Sequence, residues 1–486
     1  MHSNSSTPLS PAVLLVLSLL IGLPDVSRGQ LPVSFDHVVV DPSGPQDPWG
    51  KAVGDMNGDG TPDLIVGGYV SGGLVWYENP SWVPHVISDQ PGFRTDHEAG
   101  DVDRDGRMDV VSLGTDPSGK PRLEWFKNPG SPGGTWVRAT IEEVSLHDIE
   151  IADLNHDGWI DIVGRNQEAY APGDGDTLRV FLQTSAVQWS KSLIPCVNGE
   201  GLKVVDLNRD ARPDILINGF WFENAGDGKT WIPRQYTATY THRSVALDAA
   251  DIDADSRLDI VLSPSEPLGG MYRISWFQAP ADPTRSEWTE HIVEDSIETV
   301  HHSMCVADFN LDGRMDFATA KMSSGLTPAE VKVFLNGGEG QIWRKRVIAV
   351  TGSHGMRLVD VDGNGGKGLF GANWRGRIVD LWINQAETLQ AVDGEDRQPK
   401  EFLLKQNYPN PFNPATEIEF QIPAAGHVRL VVYDSLGKLL AVLVDGQREA
   451  GRHRVRWDGG AAASGVYLYR LEAGSFVQTR RMTLLK

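Results

Sequence analysis

The chain has 486 residues, enough for two or three domains, and its 40% hydrophobic and 8% aromatic content is that of ordinary globular cores. A formal charge of −21 excludes the basic surfaces that bind nucleic acid or anionic membranes. Two cysteines, Cys196 and Cys305, are too few for a disulfide scaffold or a zinc cluster, and two buried free thiols are their simplest reading.

Residues 1–29 read as an export signal. The apolar run from Pro11 to Pro24 is too short to span a bilayer, and a polar stretch follows it to Gly29, with cleavage expected before Gln30. The segment ahead of that run carries His2 and no Lys or Arg, a departure from the usual pattern. No later stretch is apolar enough for a transmembrane segment. The mature chain is therefore expected outside the cytoplasm.

From Asp55 onward one nine-residue pattern recurs. It reads DMNGDGTPD from Asp55, DVDRDGRMD from Asp101, DLNHDGWID from Asp153, DLNRDARPD from Asp206, DIDADSRLD from Asp251 and DFNLDGRMD from Asp308, with a degraded DVDGNGGKG from Asp360. The spacing of 45 to 57 residues lies in the range of propeller blades. Oxygen donors at positions 1, 3, 5 and 9 around a turn glycine are the chemistry of a hard cation, and Ca2+ fits best. An Asp/Asn/Gly-rich turn without metal accounts for one copy but poorly for seven in register. The expected ligands are Asp55, Asn57, Asp59 and Asp63; Asp101, Asp103, Asp105 and Asp109; Asp153, Asn155, Asp157 and Asp161; Asp206, Asn208, Asp210 and Asp214; Asp251, Asp253, Asp255 and Asp259; Asp308, Asn310, Asp312 and Asp316. Ala211 and Ser256 replace the turn glycine and predict weaker sites. Asn364 and Gly368 spoil the seventh, leaving four to six sites. The seven loops hold 22 of the 65 acids, so the acidity speaks for metal more than for a partner.

Around each loop the same signals recur. An inner strand precedes it and a short apolar strand follows, as in LIVGG from Leu64. A third strand carries an aromatic pair, as in WYENP from Trp76, and a fourth opens with Trp, as in WVPHVI from Trp82. Four short strands per repeat predict an all-β, seven-bladed β-propeller over residues 31–384. The last repeat stops at Asn384 without a fourth strand, whereas a spare one, Val33 to Val40, stands at the start. Residues 33–40 should therefore complete the seventh blade and remove two sheet edges.

These motifs resemble the VCBS/FG-GAP repeats of integrin-type propellers. The resemblance implies calcium loops between first and second strands on one face, and ligands approaching the other. At that other face the repeat places Asp96, His97, His147, Asp148, Glu200, His242, Arg243, His301, His302 and His354 ahead of inner strands, and Tyr69, Asp116, Arg165, Asn166, Asn218, Lys321, Trp374 and Arg375 after second strands. Six of the propeller's ten histidines fall in that ring. One such histidine is ordinarily a structural hydrogen-bonder; six together point to a site. The first reading is a binding or adhesion module for a glycan or other polar surface ligand, with Trp374 stacking on a sugar and Lys321 and Arg375 gripping polar groups. The alternative is a polysaccharide lyase or sugar dehydratase with His147, His302 and Arg165 as catalytic candidates, the histidines holding a metal or abstracting a proton. A purely structural surface module ranks third, and nothing supports a serine hydrolase.

Residues 385–400 lose the apolar periodicity and read as a linker. Residues 401–486 alternate like a small immunoglobulin-like β-sandwich. NYPNPFNP, YDSLGK, AGRHRVRWDG, SGVYLYRL and RRMTLLK resemble, in that order, the C-terminal sorting domain of the Por (type IX) secretion system. That resemblance implies the type IX machinery as partner and a secreted or outer-membrane surface location in a two-membrane bacterium.

Overall fold

The computed structural model describes residues 33–386 apart from 168–174, 267–269, 286–287, 299 and 323–326, and residues 402–484 apart from 408, 409, 411, 413, 436, 449, 461 and 475. The expected export signal and nearly all of the expected linker lie outside the described residues. Among those described there is no α-helix, and so none long and apolar enough to cross a membrane.

Residues 33–386 form seven four-stranded antiparallel sheets. Blade 1 runs Gln46–Gly54, Asp63–Ser71, Leu74–Glu78 and Val83–Ser88, from the axis outward. Blade 2 opens with His97–Gly100, blade 3 with Asp148–Ala152, blade 4 with Leu202–Val205, blade 5 with Val245–Ala250 and blade 6 with His301–Ala307. Blade 7 is built from Arg357–Val359, Gly368–Gly371 and Val379–Asn384, and its outer strand is the N-terminal Phe35–Asp41, paired from Phe35↔Asn384 to Asp41↔Val379. One apolar cluster fills each interface between adjacent blades, that between blades 7 and 1 included, where Leu64, Val66 and Tyr77 meet Phe370 and Leu381. The third-strand residues Trp76, Trp125, Trp221, Trp276 and Trp382 are all at most 5% exposed, the wedges that aromatic area provides best. Outer-strand histidines stack on them across the pair: His85 on Trp76 at 4.3 Å, His291 on Trp276 at 4.2 Å and His37 on Trp382 at 5.6 Å.

Polar stitches complement the wedges. At the end of the third strand, the Nδ2 of Asn79, Asn128, Asn224, Asn336 and Asn384 donates to a loop carbonyl of the preceding blade: Val361, Met56, Leu154, Ile252 and Phe309 respectively. Gln183 does the same to Val102, whereas blade 5 has Ala279 there.

All seven acidic loops share one backbone. Oδ2 of the first aspartate accepts the N–H of position 6 in every copy. Ala211 and Ser256 keep the left-handed φ of the glycines they replace, at 69° and 72°. Position 4 is left-handed too, at Arg104, His156, Arg209, Ala254 and Leu311 as well as at glycines; nothing in those residue types announces it.

The C-terminal unit is a β-sandwich of a three-stranded sheet, with Ala415–Ile422 and Gly451–Asp458 paired, and a four-stranded sheet that includes Gly426–Asp434 and Gly465–Ala473. Both sheets bury side chains in one core, among them Ile418, Phe420, Leu430, Trp457, Tyr469 and Leu471.

Candidate functional site

On one face of the propeller lie the acidic loops. In the second, oxygens of Asp101, Asp103 and Asp109 lie within 4.8 Å of one another, and in the fifth those of Asp251, Asp253 and Asp255 do. Asp103 Oδ1 is buried without a hydrogen-bond partner, a lone pair that a bound cation would satisfy, while Lys127 Nζ donates to Asp103 Oδ2 and Asp105 Oδ2 of the same loop. Position 9 has another duty. Asp63, Asp109, Asp161, Asp214, Asp259 and Asp316 are fully buried. Each accepts the backbone N–H of loop position 2 at one oxygen and of the third-strand end at the other, as Asp109 does from Val102 and Asn128. Expected to close a metal shell, these carboxylates also lock the loop to its blade. Arg107, Arg212, Arg257 and Arg314, at position 7, bridge the position-5 aspartate to a third-strand carbonyl.

On the opposite face the inner strands converge on an axial pocket of about 110 Å³. Charged residues stand three places before five of the loops, at Glu98, Glu150, Lys203, Asp248 and Arg357: Lys203 pairs with Glu150 at 3.1 Å, and Arg357 reaches Glu98 and also Asp96. Of the six expected histidines, three gather here. His147 and His302 have ring centroids 5.8 Å apart, and His354 stacks on His302 at 4.0 Å. Between the first two stands Glu200, with His147 Nε2 3.3 Å from its Oε2 and His302 Nε2 3.2 Å from its Oε1. Glu266 adds a second carboxylate 3.7 Å from His302 Nε2. Gln167 donates its amide to both glutamates, and the Ser265 hydroxyl donates to Glu200 Oε1. Burial works against the charged imidazoles. For His147 the Asp148 and Glu200 carboxylates outweigh it and raise the pKa; for His302, Glu200 and Glu266 raise it well above the ordinary range. His354, buried and beside His302, is held well below.

The other expected residues have other surroundings. His97 is fully buried against blade 1, where a Cβ on Gly67 would lie 2.1 Å from its Nε2, and its Nδ1 meets the Ser112 hydroxyl at 3.0 Å. His301 rests its Nδ1 on the Glu298 carbonyl at 3.0 Å and its Nε2 3.4 Å from Lys332. Burial pushes both down to about 3. His242 rests its Nδ1 on the Ser244 carbonyl, 2.7 Å away. Lys321 is buried, tied to Glu298 and Thr327. Arg165 is fully buried and donates to the carbonyls of Gly201 and Val197 at 2.7 Å each, so it braces the segment carrying Glu200 from behind. Lys321 and Arg165 thus lie in the walls and not on the funnel surface.

Beside His354 is an aromatic shelf. Trp49 stacks on Tyr69 at 4.0 Å, lies 6.5 Å from Trp374 and donates its indole N–H to the Trp374 carbonyl. Tyr69 is 40% exposed, and the exposed Arg375 guanidinium sits 4.4 Å over the Trp374 ring. The sequence reading missed Trp49, Gln167 and Glu266. Trp49 lies inside a strand unlike the other inner strands, and the other two follow second strands in segments without a repeated pattern.

A family model described as FG-GAP-like repeat matches residues 55–112, 101–164 and 206–262, and one described as Secretion system C-terminal sorting domain matches residues 406–484. No curated protein matches the chain. Solved structures similar to it include PorZ, described as a bacterial surface component of the type-IX secretion system of Porphyromonas gingivalis, at 10% identity over 91% of this chain and 82% of that one, TM-score 0.30. The PQQ-bound aldose sugar dehydrogenase of Streptomyces coelicolor is similar at 10% identity over 72% and 98%, TM-score 0.35. The Dos1 propeller is similar at 11% over 72% and 95%, TM-score 0.42. The chain is a β-propeller with FG-GAP-like repeats and a Por sorting domain, and the sorting domain marks it for type IX export to the cell surface or the medium.

Proposed function

We propose that the exported propeller is a binding module for a glycan or similar polar ligand, received at the funnel face, with Ca2+ in the acidic loops bracing the opposite face. The observation that carries this reading is the Trp49–Tyr69–Trp374 shelf beside the His354-lined pocket. Aromatic faces take up the apolar side of a sugar ring, while hydroxyls find the converging imidazoles and carboxylates. The test is retention of the mature protein on a panel of neutral and acidic polysaccharides, with and without chelator, alongside ultraviolet absorbance of unsaturated sugars. Retention abolished by Trp49→Ala and Trp374→Ala, without new absorbance, supports the binding module. Rising absorbance supports the second reading, a lyase, which the His147–Glu200–His302 cluster favours because it sets imidazoles against carboxylates in a pocket. Equal behaviour of the variants and the parent would remove the shelf from the argument.

A further inference from the structure

The side chains at the base of the funnel come one from each of four consecutive blades. His147 stands directly ahead of the inner strand of blade 3, Glu200 two residues ahead of that of blade 4, Glu266 beyond the second strand of blade 5, and His302 at the start of the inner strand of blade 6. Each offers one donor atom, and these atoms all lie within 4.8 Å of one another. Their side chains are only 2–12% exposed, Glu266 and His302 being the two nearest solvent.

Two arrangements could explain such a cluster: imidazolium–carboxylate ion pairs, or a cation cage. The separations of 3.3, 3.2 and 3.7 Å between ring nitrogens and carboxylate oxygens suit either. Orientation separates them. His302 Nε2 is buried and close to both glutamates, yet its geometry completes a hydrogen bond to neither. Four ligands about 2.0–2.2 Å from one ion in a tetrahedron would stand about 3.3–3.6 Å apart, close to the three nitrogen–oxygen separations above. The surroundings are those of a metal ligand set as well. His147 Nδ1 meets Asp148 Oδ1 at 2.9 Å, and Asp148 is itself fixed by the Gly201 N–H at 2.9 Å, so a carboxylate orients the imidazole and leaves Nε2 facing the cluster. His302 is fixed by stacking on His354, whose Nδ1 contacts the Trp49 carbonyl at 3.1 Å.

We propose that His147, Glu200, Glu266 and His302 form a binding site for a single borderline divalent cation of the zinc class, distinct from the acidic loops. Once the ion has displaced the protons that the carboxylates favour on His147 and His302, two neutral imidazoles and two carboxylates balance a charge of +2 and prefer such an ion to Ca2+, which selects oxygen alone. The site stands independently of the glycan reading. It exists only in the closed ring, since no single blade supplies two ligands.

The experiment uses the full mature chain, stripped with chelator and returned to excess Ca2+ so that the loops are saturated. Co2+ is then added and its visible ligand-field absorbance followed. Expected is one equivalent of Co2+ with the intense absorbance of a four- or five-coordinate site, displaced by one equivalent of Zn2+ and untouched by further Ca2+. Glu266→Gln and His302→Gln should each weaken Co2+ binding by about tenfold or more, with the far-ultraviolet spectrum and thermal midpoint in Ca2+ reporting on folding. Glu266→Gln keeps the shape of a partly exposed side chain, so it remains informative if His302→Gln folds poorly. Absence of the band in the parent, or a band with equal affinity in parent and Glu266→Gln, would overturn the assignment.

Discussion

Replacing Asn128 by Ala isolates the stitch between blades 1 and 2. Its Nδ2 donates to the Met56 carbonyl at 2.8 Å and the Met108 carbonyl at 2.9 Å, and its Oδ1 accepts the Gly130 N–H at 2.8 Å. Asn128 is 2% exposed and Met56 4%, so the Met56 carbonyl loses its partner where water does not reach. The Met108 carbonyl and Gly130 N–H are nearer solvent and recover part of their loss. A buried orphan costs about 1–3 kcal/mol and a partly solvated one about 1 kcal/mol or less, which puts Asn128→Ala near 3 kcal/mol. At an unfolding entropy of about 2.1 cal/mol/K per residue over roughly 350 residues, that is a fall of about 4 °C in the thermal midpoint. Asn128→Asp should be worse, because it turns a carboxylate oxygen toward two carbonyls. Calorimetry of parent and both variants in saturating Ca2+ decides the matter. A midpoint within 1 °C of the parent for both would mean that the apolar wedges alone hold the blades in register.

Deleting residues 31–41 removes the outer strand of blade 7 and the His37–Asp380 contact of 2.7 Å. It should cost more than a severe point substitution, about 5 kcal/mol, and expose the Val379–Asn384 edge. Light scattering should then report self-association, and a monomer of parental stability would refute the closure. Ala211→Gly and Ser256→Gly relieve left-handed backbone at φ 69° and 72°. Each should stabilise by about 0.5–1 kcal/mol after the extra unfolded-state entropy of glycine, raising the midpoint by about 1 °C; a lower midpoint contradicts this. His97 has its pKa pushed down from 6.5 to about 3, by burial first and then by Lys51 and Arg357. The unfolded chain therefore takes up a proton as pH falls through 6.5 while the folded one does not, and stability is lost by about 2 kcal/mol between pH 7 and pH 5. His97→Gln should lose that much less over the same range in denaturant titrations, and equal losses would show that His97 is not the cause.

What was legible in the sequence is what repeats. The acidic loop and the order of strands recur seven times and the aromatic pair four times, so the blades and their circular closure follow from period and alternation. What was hidden is set by rotation about the axis. Arg357 meets Asp96 across 261 residues because ring closure brings blades 7 and 2 to either side of blade 1, and no local pattern encodes that pairing. The histidine ring shows the same limit. Six histidines share a register, yet His97 turns into the room left by Gly50 and Gly67, and His301 turns toward Lys332. Only His147, His302 and His354 turn toward one another. Glu266 completes the cluster from a segment with no repeat signature. The second duty of position 9 was hidden for a simpler reason: a carboxylate that accepts two backbone N–H groups and one that ligates an ion look alike in sequence.

The acidic loops and the funnel are opposite ends of the same strands. In blade 4 Glu200 lies two residues ahead of Leu202–Val205 and Asp206 directly after it; in blade 6 His302 is the second residue of His301–Ala307 and Asp308 directly follows the strand. At about 3.3 Å per residue, five or six residues separate the two faces by about 15–20 Å. A strand of that length, paired along its whole inner sheet from Leu202↔Ile217 to Val205↔Asp214, cannot slide to carry a signal without breaking the pairs on which the buried Asp214 sits. A cation at one loop, as proposed, would therefore be felt at the funnel through stability and not through displacement. Ring closure acts differently: the four cluster residues belong to different blades, and their spacing exists only while the wedges, the asparagine stitches and the borrowed N-terminal strand hold seven sheets at fixed angles.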